Sequence, residues 1–301
     1  MRLAYISDLH TDLSARNHDL LGALVEVARA AKPDVFLVAG DLAEKSSDVA
    51  ASLERLAAIP ALRLYLAGNH DLFVEGDPQR AETAHSWEKF ETILPRVAAA
   101  AGFDYLGLEP VHCGNVAIVG VPGWYDFSLR DPSFDAVADL PVYRTGVWRG
   151  TRAYDRGHVF WPRRDTRHIA GAHPAAAGGD AWAGDEEICA EMLERLQGQL
   201  AAVRSAPAVL AAVHVLPCLD LVQRGAFGEI PFFDAYLGSS QLGTCLEKAG
   251  NVRVVVSGHL HRVASLERRG IRWLASPVGD ARRSPLDLAA LARERLGLTE
   301  I

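Results

Sequence analysis

The chain has 301 residues, of which 49% are apolar, and a formal net charge of −7 at pH 7. This length is sufficient for a sizeable core in one large domain or two small ones. The acidic balance disfavours a protein that grips nucleic acid by its backbone, although it leaves room for a local basic patch.

The first third of the chain alternates predicted strands with predicted helices. Strands are predicted at Leu3–Ser7, Val35–Ala39 and Leu62–Ala67. Amphipathic helices are predicted between them, at Leu20–Ala31 and Ser47–Ile59. Alternation of this kind, with continuous apolar strands, favours a parallel sheet covered by helices.

The rest of the chain is less regular. Ala81–Ala101 has a helical pattern that Pro95 is expected to break or kink. Further strands are predicted at Val116–Val121, Val209–His214 and Arg253–Ser257, and a helix at Asp185–Arg204. Val263–Glu267 and Ile271–Ala275 are expected to pair as a hairpin with Gly270 in the turn. Ser284 and Pro285 are predicted to cap and open a last helix.

Residues 125–185 form a long insertion with little periodicity. A segment of this kind in a compact enzyme is usually a functional lid or is disordered, and its aromatic and arginine content argues against disorder. We therefore expect a single domain over residues 1–301 with a lid at about 125–185.

Three sets of side chains in and beside the insertion are candidates for substrate contact. The aromatic set, for which a small satellite core is favoured over a base-stacking platform, is Trp124, Tyr125, Trp148 and Trp161. The arginines, more typical of solvated charge, are Arg149, Arg152, Arg163 and Arg164. The histidines are His158, His168 and His173. Arg149 is kept as a candidate substrate-binding residue.

Polar motifs follow several of the predicted strands. They are Asp8-Leu9-His10, Gly40-Asp41, Gly68-Asn69-His70-Asp71, His214 and Gly258-His259-Leu260-His261. Residues just past strand ends on one edge of a sheet converge in space. Carboxylates, imidazoles and an amide oxygen are ligands that divalent metals accept. Taken singly, Asp41 could be a turn residue and His214 a core histidine, but the ordered set favours a metal site.

In this order the motifs resemble the calcineurin-like metallophosphoesterase superfamily, from Met1 to about Pro277. The resemblance implies an α/β fold, a four-layer α/β/β/α sandwich of two packed mixed sheets with helices on both outer faces. It also implies two divalent metal ions, with Mn²⁺, Fe and Zn²⁺ as the candidates. One ion would be held by Asp8, His10 and His261, and the other by Asn69, His214 and His259. Asp41 would bridge them.

The implied activity is hydrolysis of a phosphate mono- or diester, of a small molecule or nucleotide, by a hydroxide that bridges the metals. Asp41 and His70 are the implied catalytic residues, with His70 assisting the leaving oxygen. Asn69 and His70 would also contact the substrate. Many protein phosphatases of the superfamily have an Asp where this chain has Glu44, which weighs against that subclass and leaves the acid dyad open. Asp71 is expected to orient its neighbours.

Two other functions stay open: a nuclease of the same superfamily, and a non-catalytic scaffold with the same fold. The acidic balance weighs against the first, and the filled ligand positions weigh against the second. The expected partner is a small-molecule phosphate ester, with no nucleic acid and no membrane, and the oligomeric state is left open. Four scattered cysteines and the absence of a secretion signal predict a cytoplasmic location.

Overall fold

The computed structural model describes residues 1–74, 83–153, 159–165, 182–224 and 230–301. The strands are β1 (Arg2–Ile6), β2 (Val35–Ala39), β3 (Leu62–Leu66), β4 (Asp104–Leu106), β5 (Val111–Cys113), β6 (Val116–Val121), β7 (Val147–Trp148), β8 (Thr151–Arg152), β9 (Ala208–Val213), β10 (Val252–Ser257), β11 (Ala264–Arg268), β12 (Ile271–Ala275) and β13 (Gly297–Glu300). The helices are α1 (Ala15–Ala31), α2 (Ser46–Leu56), α3 (Ser86–Glu88), α4 (Leu94–Ala100), α5 (Leu140–Thr145), α6 (Asp185–Ala202), α7 (Ser240–Lys248) and α8 (Leu288–Arg295).

Two mixed sheets form the centre of the molecule. One has the strand order β13-β1-β2-β3-β4, and the other has β11-β12-β10-β9-β6-β5. The central pairs β1–β2, β2–β3, β6–β9 and β9–β10 are parallel, whereas the edge strands β13, β11 and β5 pair antiparallel. The carboxyl ends of the central strands therefore lie at one edge of each sheet, where the polar motifs follow.

The two sheets pack face to face through alternate residues of their strands. In β2, for example, Val35, Leu37 and Ala39 belong to a buried apolar layer shared with residues of β6, β9 and β10. The intervening Phe36 and Val38 belong instead to the cluster that includes the helices. Because both faces of these strands are buried, their sequences are continuous apolar runs.

Helices cover the outer faces. Residues of α1, α2 and α4 pack in one cluster with the outward side chains of the first sheet, and α6 packs on β6 of the second. Gln199 of α6 accepts a hydrogen bond from the Gly120 amide and donates one to its carbonyl, each 2.9 Å long. The predicted four-layer α/β/β/α sandwich is confirmed.

Two predicted helix starts need correction. Among the described residues, the helix predicted at Ala81–Ala101 begins at Ser86. The irregularity expected at Pro95 is present as the π-helical turn Lys89–Ile93, which comes directly before the α-helical segment that contains the proline. The last helix is capped by Asp287, whose side chain accepts from the Ala290 amide, and not by Ser284. Ser284 instead accepts a hydrogen bond from the Leu286 amide, in the turn before the helix.

Several short elements were not predicted from the sequence. They include β4, β5, α5, α7 and the last strand, β13, which pairs with β1. Gly297 allows that pairing, because a Cβ there would lie 2.2 Å from the Tyr5 ring. The hairpin predicted around Gly270 is confirmed as β11–β12.

The aromatic residues of the insertion are packed. Trp161 contacts Trp87 and Trp124, with ring centroids 4.4 and 5.3 Å apart. Trp148 of β7 packs on Phe134 and Phe232. Trp124 and Trp161 belong to the main buried cluster and Trp148 packs against it, so the expected packing is observed in the main core and not in a separate satellite core. His158, His168 and His173 lie outside the described residues.

Among the described residues, no helix is both long and apolar enough to cross a bilayer. All four cysteines are free of disulfide bonds. The cytoplasmic location stays a prediction.

Candidate metal centre

The motif residues leave their strands through left-handed backbone conformations. The residues with positive φ at the strand ends are Asp8 (54°), His10 (42°), Asp41 (55°), His259 (68°) and His261 (56°). Such conformations are uncommon for residues other than glycine and cost roughly 1–3 kcal/mol each. They supply the bend that the D-x-H and G-H-x-H spacing requires if both side chains are to point to one side.

Three motif glycines make room for the polar side chains. A Cβ at Gly68 would lie 2.2 Å from Asp41 Oδ1, and one at Gly40 would lie 2.4 Å from His214 Nδ1. A Cβ at Gly258 would lie 2.6 Å from Asp8 Oδ2. Any larger residue at these three positions would displace a carboxylate or an imidazole of the centre.

The side chains converge into two groups whose geometry could hold metal ions. One group is Asp8, His10, Asp41 and His261, and the other is Asp41, His214 and His259. Within each group the candidate ligand atoms lie within 4.8 Å of one another. Asp41 belongs to both, since its Oδ2 lies 3.8 Å from His10 Nε2 and 3.2 Å from His214 Nε2.

Asn69 completes the second group. Its Oδ1 lies 3.2 Å from His214 Nε2 and 2.9 Å from His259 Nδ1. The structure therefore brings together all seven side chains that the resemblance implied as ligands, in the two sets that it implied.

Backbone carbonyls orient two of the imidazoles. His214 Nδ1 lies 2.9 Å from the Ala39 carbonyl, and His259 Nε2 lies 3.0 Å from the Tyr236 carbonyl. A carbonyl accepts a hydrogen bond only from a protonated nitrogen. When the ring is neutral, its other nitrogen is therefore unprotonated, and that nitrogen faces the centre. This pattern is typical of metal-ligating histidines.

Asp71 holds the loops of the centre together. Its carboxylate accepts hydrogen bonds from the backbone N–H groups of Gly68, Asp41, Leu42 and Ala43, at 2.7 to 3.0 Å. The expectation that Asp71 orients its neighbours is confirmed by these contacts. Burial and the Asp41 carboxylate raise the pKa of Asp71 to about 6.

The electrostatics of the centre favour a cation. Burial disfavours charge on Asp8 and Asp41, yet contacts with histidines hold both pKa values below their ordinary range. Burial likewise lowers the pKa of His214, but the Asp41 carboxylate outweighs it and raises the pKa to about 10. The negative charge of the buried carboxylates thus favours a protonated His214, and a divalent ion bound to a neutral His214 would compensate the same charge.

His70 lies beside the two groups and contacts Glu44. Its Nδ1 is 3.5 Å from Glu44 Oε1, and its backbone N–H donates to Asp41 Oδ1 at 2.9 Å. Burial lowers the pKa of His70, but Asp41 and Glu44 outweigh it, so that the pKa lies above its ordinary value. The longer Glu44 side chain thus reaches His70, a contact that the sequence had left open.

A buried lysine supports this corner. Lys89 is fully buried, and its Nζ donates hydrogen bonds to the carbonyls of Glu44 and Phe73. The Phe73 ring packs on the His70 ring, with centroids 4.6 Å apart. Lys89 therefore ties together the two segments that flank His70.

A profile described as calcineurin-like phosphoesterase matches residues 1–204. The chain belongs to the calcineurin-like phosphoesterase family. Members of this family are metal-dependent phosphoesterases, and the two side-chain groups have a geometry that could hold metal ions. None of the curated proteins compared with the chain matches it.

Solved structures of this phosphoesterase fold resemble the chain at low identity. The phosphopantetheinyl hydrolase PptH from Mycobacterium tuberculosis superposes with a TM-score of 0.64 at 18% identity, over 99% of this chain and 95% of that one. A dimetal phosphatase from Danio rerio superposes with a TM-score of 0.54 at 14% identity, over 91% of this chain and 86% of that one. At these identities the likeness shows the fold.

A cavity of about 360 Å³ opens beside the candidate metal centre of this phosphoesterase. Its lining residues are Asn69, His70, Tyr125, Arg152, Ala153, Phe233, Tyr236 and His259. The sequence analysis expected Asn69 and His70 at the substrate. It missed Phe233 and Tyr236, for which the only signal is an aromatic-rich run between His214 and Gly258.

The choice of Arg149 as the substrate-binding arginine needs correction. Arg149 is not among the described residues that line the cavity, and its guanidinium lies over the Trp148 ring, 5.3 Å from the centroid. Arg149 and Gly150 form the turn of the β7–β8 hairpin, whereas Arg152 follows on the returning strand and lines the cavity. Arg163 and Arg164 form ion pairs with glutamates of α6.

Proposed function

We propose that this phosphoesterase hydrolyses a phosphate ester of a small molecule with two divalent metal ions. In this proposal Asp8, His10 and His261 hold one ion, and Asn69, His214 and His259 hold the other. Asp41 bridges the two. Manganese is the first candidate metal, with iron and zinc as the others, since centres of mixed nitrogen and oxygen ligands accept several ions.

The position of Asp41 carries the proposal. Its Oδ2 faces an imidazole of each group, and no other carboxylate among the described residues belongs to both groups. A bridging carboxylate in this place would hold two ions close enough to act on one phosphoryl group. Two-metal centres of this kind, with ions roughly 3.5–4 Å apart, support in-line displacement at phosphorus.

In the proposed reaction the ions and the side chains have different roles. When bound, the ions would neutralise phosphate charge and activate a water as the nucleophile. Asn69 would fix the position of the phosphoryl group at the cavity edge. His70 would act as the imidazolium: its Nδ1–H faces the Glu44 carboxylate, and its Nε2 proton would pass to the leaving oxygen, which leaves a neutral ring.

The cavity supports a small-molecule substrate. Its volume of about 360 Å³ lies in the range of ligand pockets and is too small for a folded partner. The β7–β8 hairpin brings Arg152 to the cavity, which supports the proposal that the insertion at 125–185 acts as a lid over the centre.

A substrate panel tests this function. Protein loaded with Mn²⁺ would be assayed on phosphomonoesters, cyclic nucleotides, single-stranded DNA and a phosphopantetheinyl ester, the last because the mycobacterial neighbour is a phosphopantetheinyl hydrolase. We expect turnover of at least one small phosphate ester and none in a His214→Ala variant. Turnover of DNA alone would favour the nuclease, and no turnover of any ester by metal-loaded protein would refute the proposal.

A further inference from the structure

The cavity beside the metal centre joins two kinds of surface. One wall is aromatic, formed by Tyr125, Phe233 and Tyr236, and the metal-centre side is formed by Asn69, His70 and His259. Arg152 also lines the cavity and adds a positively charged guanidinium group. None of the described lining residues carries a carboxylate, so the cavity has a cationic character away from the metal centre.

The aromatic wall is held in place before any substrate binds. Tyr236 is 4% exposed, its hydroxyl donates to the Tyr143 carbonyl, and its own carbonyl accepts from His259. Tyr125 is 1% exposed, and its ring centroid lies 6.0 Å from that of Tyr236 and 5.8 Å from that of His259. A preformed aromatic wall suits a flat or apolar group, since little order has to be gained on binding.

Arg152 differs from the other arginines of the insertion. Within the part of the chain that the structure describes, no hydrogen bond or ion pair engages its guanidinium, whereas Arg144, Arg163 and Arg164 each pair with a glutamate. Its hairpin is anchored, because Trp148 stacks on Phe232, the neighbour of the wall residue Phe233. An arginine that is placed at a cavity without an internal partner is suited to bind an anion from outside.

We propose that Arg152 recognises a second anionic group of the substrate, a carboxylate or phosphate separated from the scissile phosphate by a flat or apolar spacer that packs on Tyr125, Phe233 and Tyr236. This inference rests on the proposed function and deepens it. It makes the substrate an ester with two anionic ends, and Arg152 the residue that selects the distal one.

The test uses matched aryl phosphates. Each series has three compounds: an unsubstituted aryl phosphate, the same ester with a carboxylate at the end of the ring opposite the phosphate, and the same ester with a neutral carboxamide there. The aryl group is phenyl in one series and naphthyl in the other. We expect the wild-type protein to have a lower KM for the carboxylate than for the carboxamide in at least one series. Because a lost charge-assisted contact has a large effect, Arg152→Gln should raise the KM of that carboxylate about 10- to 100-fold. The KM of the carboxamide should change little.

Two variants serve as controls. Arg149→Gln removes an equal charge from the same hairpin, outside the cavity, and should keep the wild-type preference. Arg152→Lys keeps the charge without the planar fork and should keep part of the preference. Thermal melting of each variant checks the fold.

The outcomes separate the two proposals. If the metal-loaded wild-type protein hydrolyses neither these aryl phosphates nor any ester of the substrate panel, the proposed function fails. If it hydrolyses an ester of the panel but none of these aryl phosphates, the role proposed for Arg152 is refuted and the proposed function stands. If it hydrolyses these esters but prefers the carboxylate in neither series, or if Arg152→Gln affects carboxylate and carboxamide equally, the role of Arg152 is refuted and the proposed function stands.

Discussion

Glu44 Oε1 lies 3.5 Å from His70 Nδ1, and Glu44 adds to the effect of Asp41 in raising the pKa of this histidine against the opposing effect of burial. Glu44→Gln removes the negative charge, so the pKa of His70 should fall and less of it should be protonated at neutral pH. The alkaline limb of the kcat profile should then move to lower pH. The pH dependence of kcat would be measured for the wild type and the variant. An alkaline limb at the same pH in both would show that Glu44 does not set the pKa of His70.

Replacement of His70 separates acid catalysis from metal binding. His70→Ala should leave the metal content intact and lower kcat by about 10²–10⁴-fold, the range of a lost general acid. The loss should be smaller for p-nitrophenyl phosphate than for an alkyl phosphate, because a good leaving group needs little protonation. An equal loss for both esters would argue against an acid role.

The motif glycines should be intolerant of a side chain. Gly68→Ala places a Cβ 2.2 Å from Asp41 Oδ1, so we expect a strong loss of metal binding and a lower melting temperature. Gly198→Ala is the matched control, since Gly198 lies in α6 and the added Cβ would meet no atom within 4 Å beyond its chain neighbours and the helix's own backbone. Metal titration followed by melting curves measures both variants. Similar metal affinity in the two would refute the steric argument.

Asp71 should act through the loops that it holds. Asp71→Asn replaces one acceptor oxygen by a donor, so two of the four backbone N–H groups lose their partner, at about 1–3 kcal/mol each. The variant should unfold at lower denaturant concentration and bind metal about 10- to 100-fold more weakly. Chemical denaturation of the metal-free protein isolates the first effect. Unchanged stability there would mean that the loops do not depend on Asp71.

Much of the fold was predictable because its central strands are buried on both faces. Val35–Ala39 and Val116–Val121 were predicted with their observed bounds, since a continuous apolar run leaves few alternatives. β13 was missed because Gly297–Glu300 alternates at a sheet edge and gains its stability from pairing with β1. The cap of α8 was misplaced because Ser284 and Asp287 are both good caps, and only the path of the chain selects Asp287.

The convergence of the candidate metal ligands was predictable for a related reason. These side chains follow the strand ends directly, so that their convergence depends on the sheet alone. The cavity was not predictable, because Arg152 and Phe233 come from segments without periodicity, far apart in the chain. The sequence does not distinguish Arg149 from Arg152. Because the hairpin turns at Gly150, Arg149 lies over the Trp148 ring and Arg152 lies at the cavity.

The central claim, a two-metal centre bridged by Asp41, is tested most directly by counting ions. Elemental analysis of protein purified without chelator and saturated with Mn²⁺ should find two ions per chain in the wild type. Asp41→Asn should weaken both, whereas Asn69→Ala should weaken mainly one. A wild type that binds one ion or none, or an Asp41→Asn variant that keeps full metal content and rate, would contradict the account.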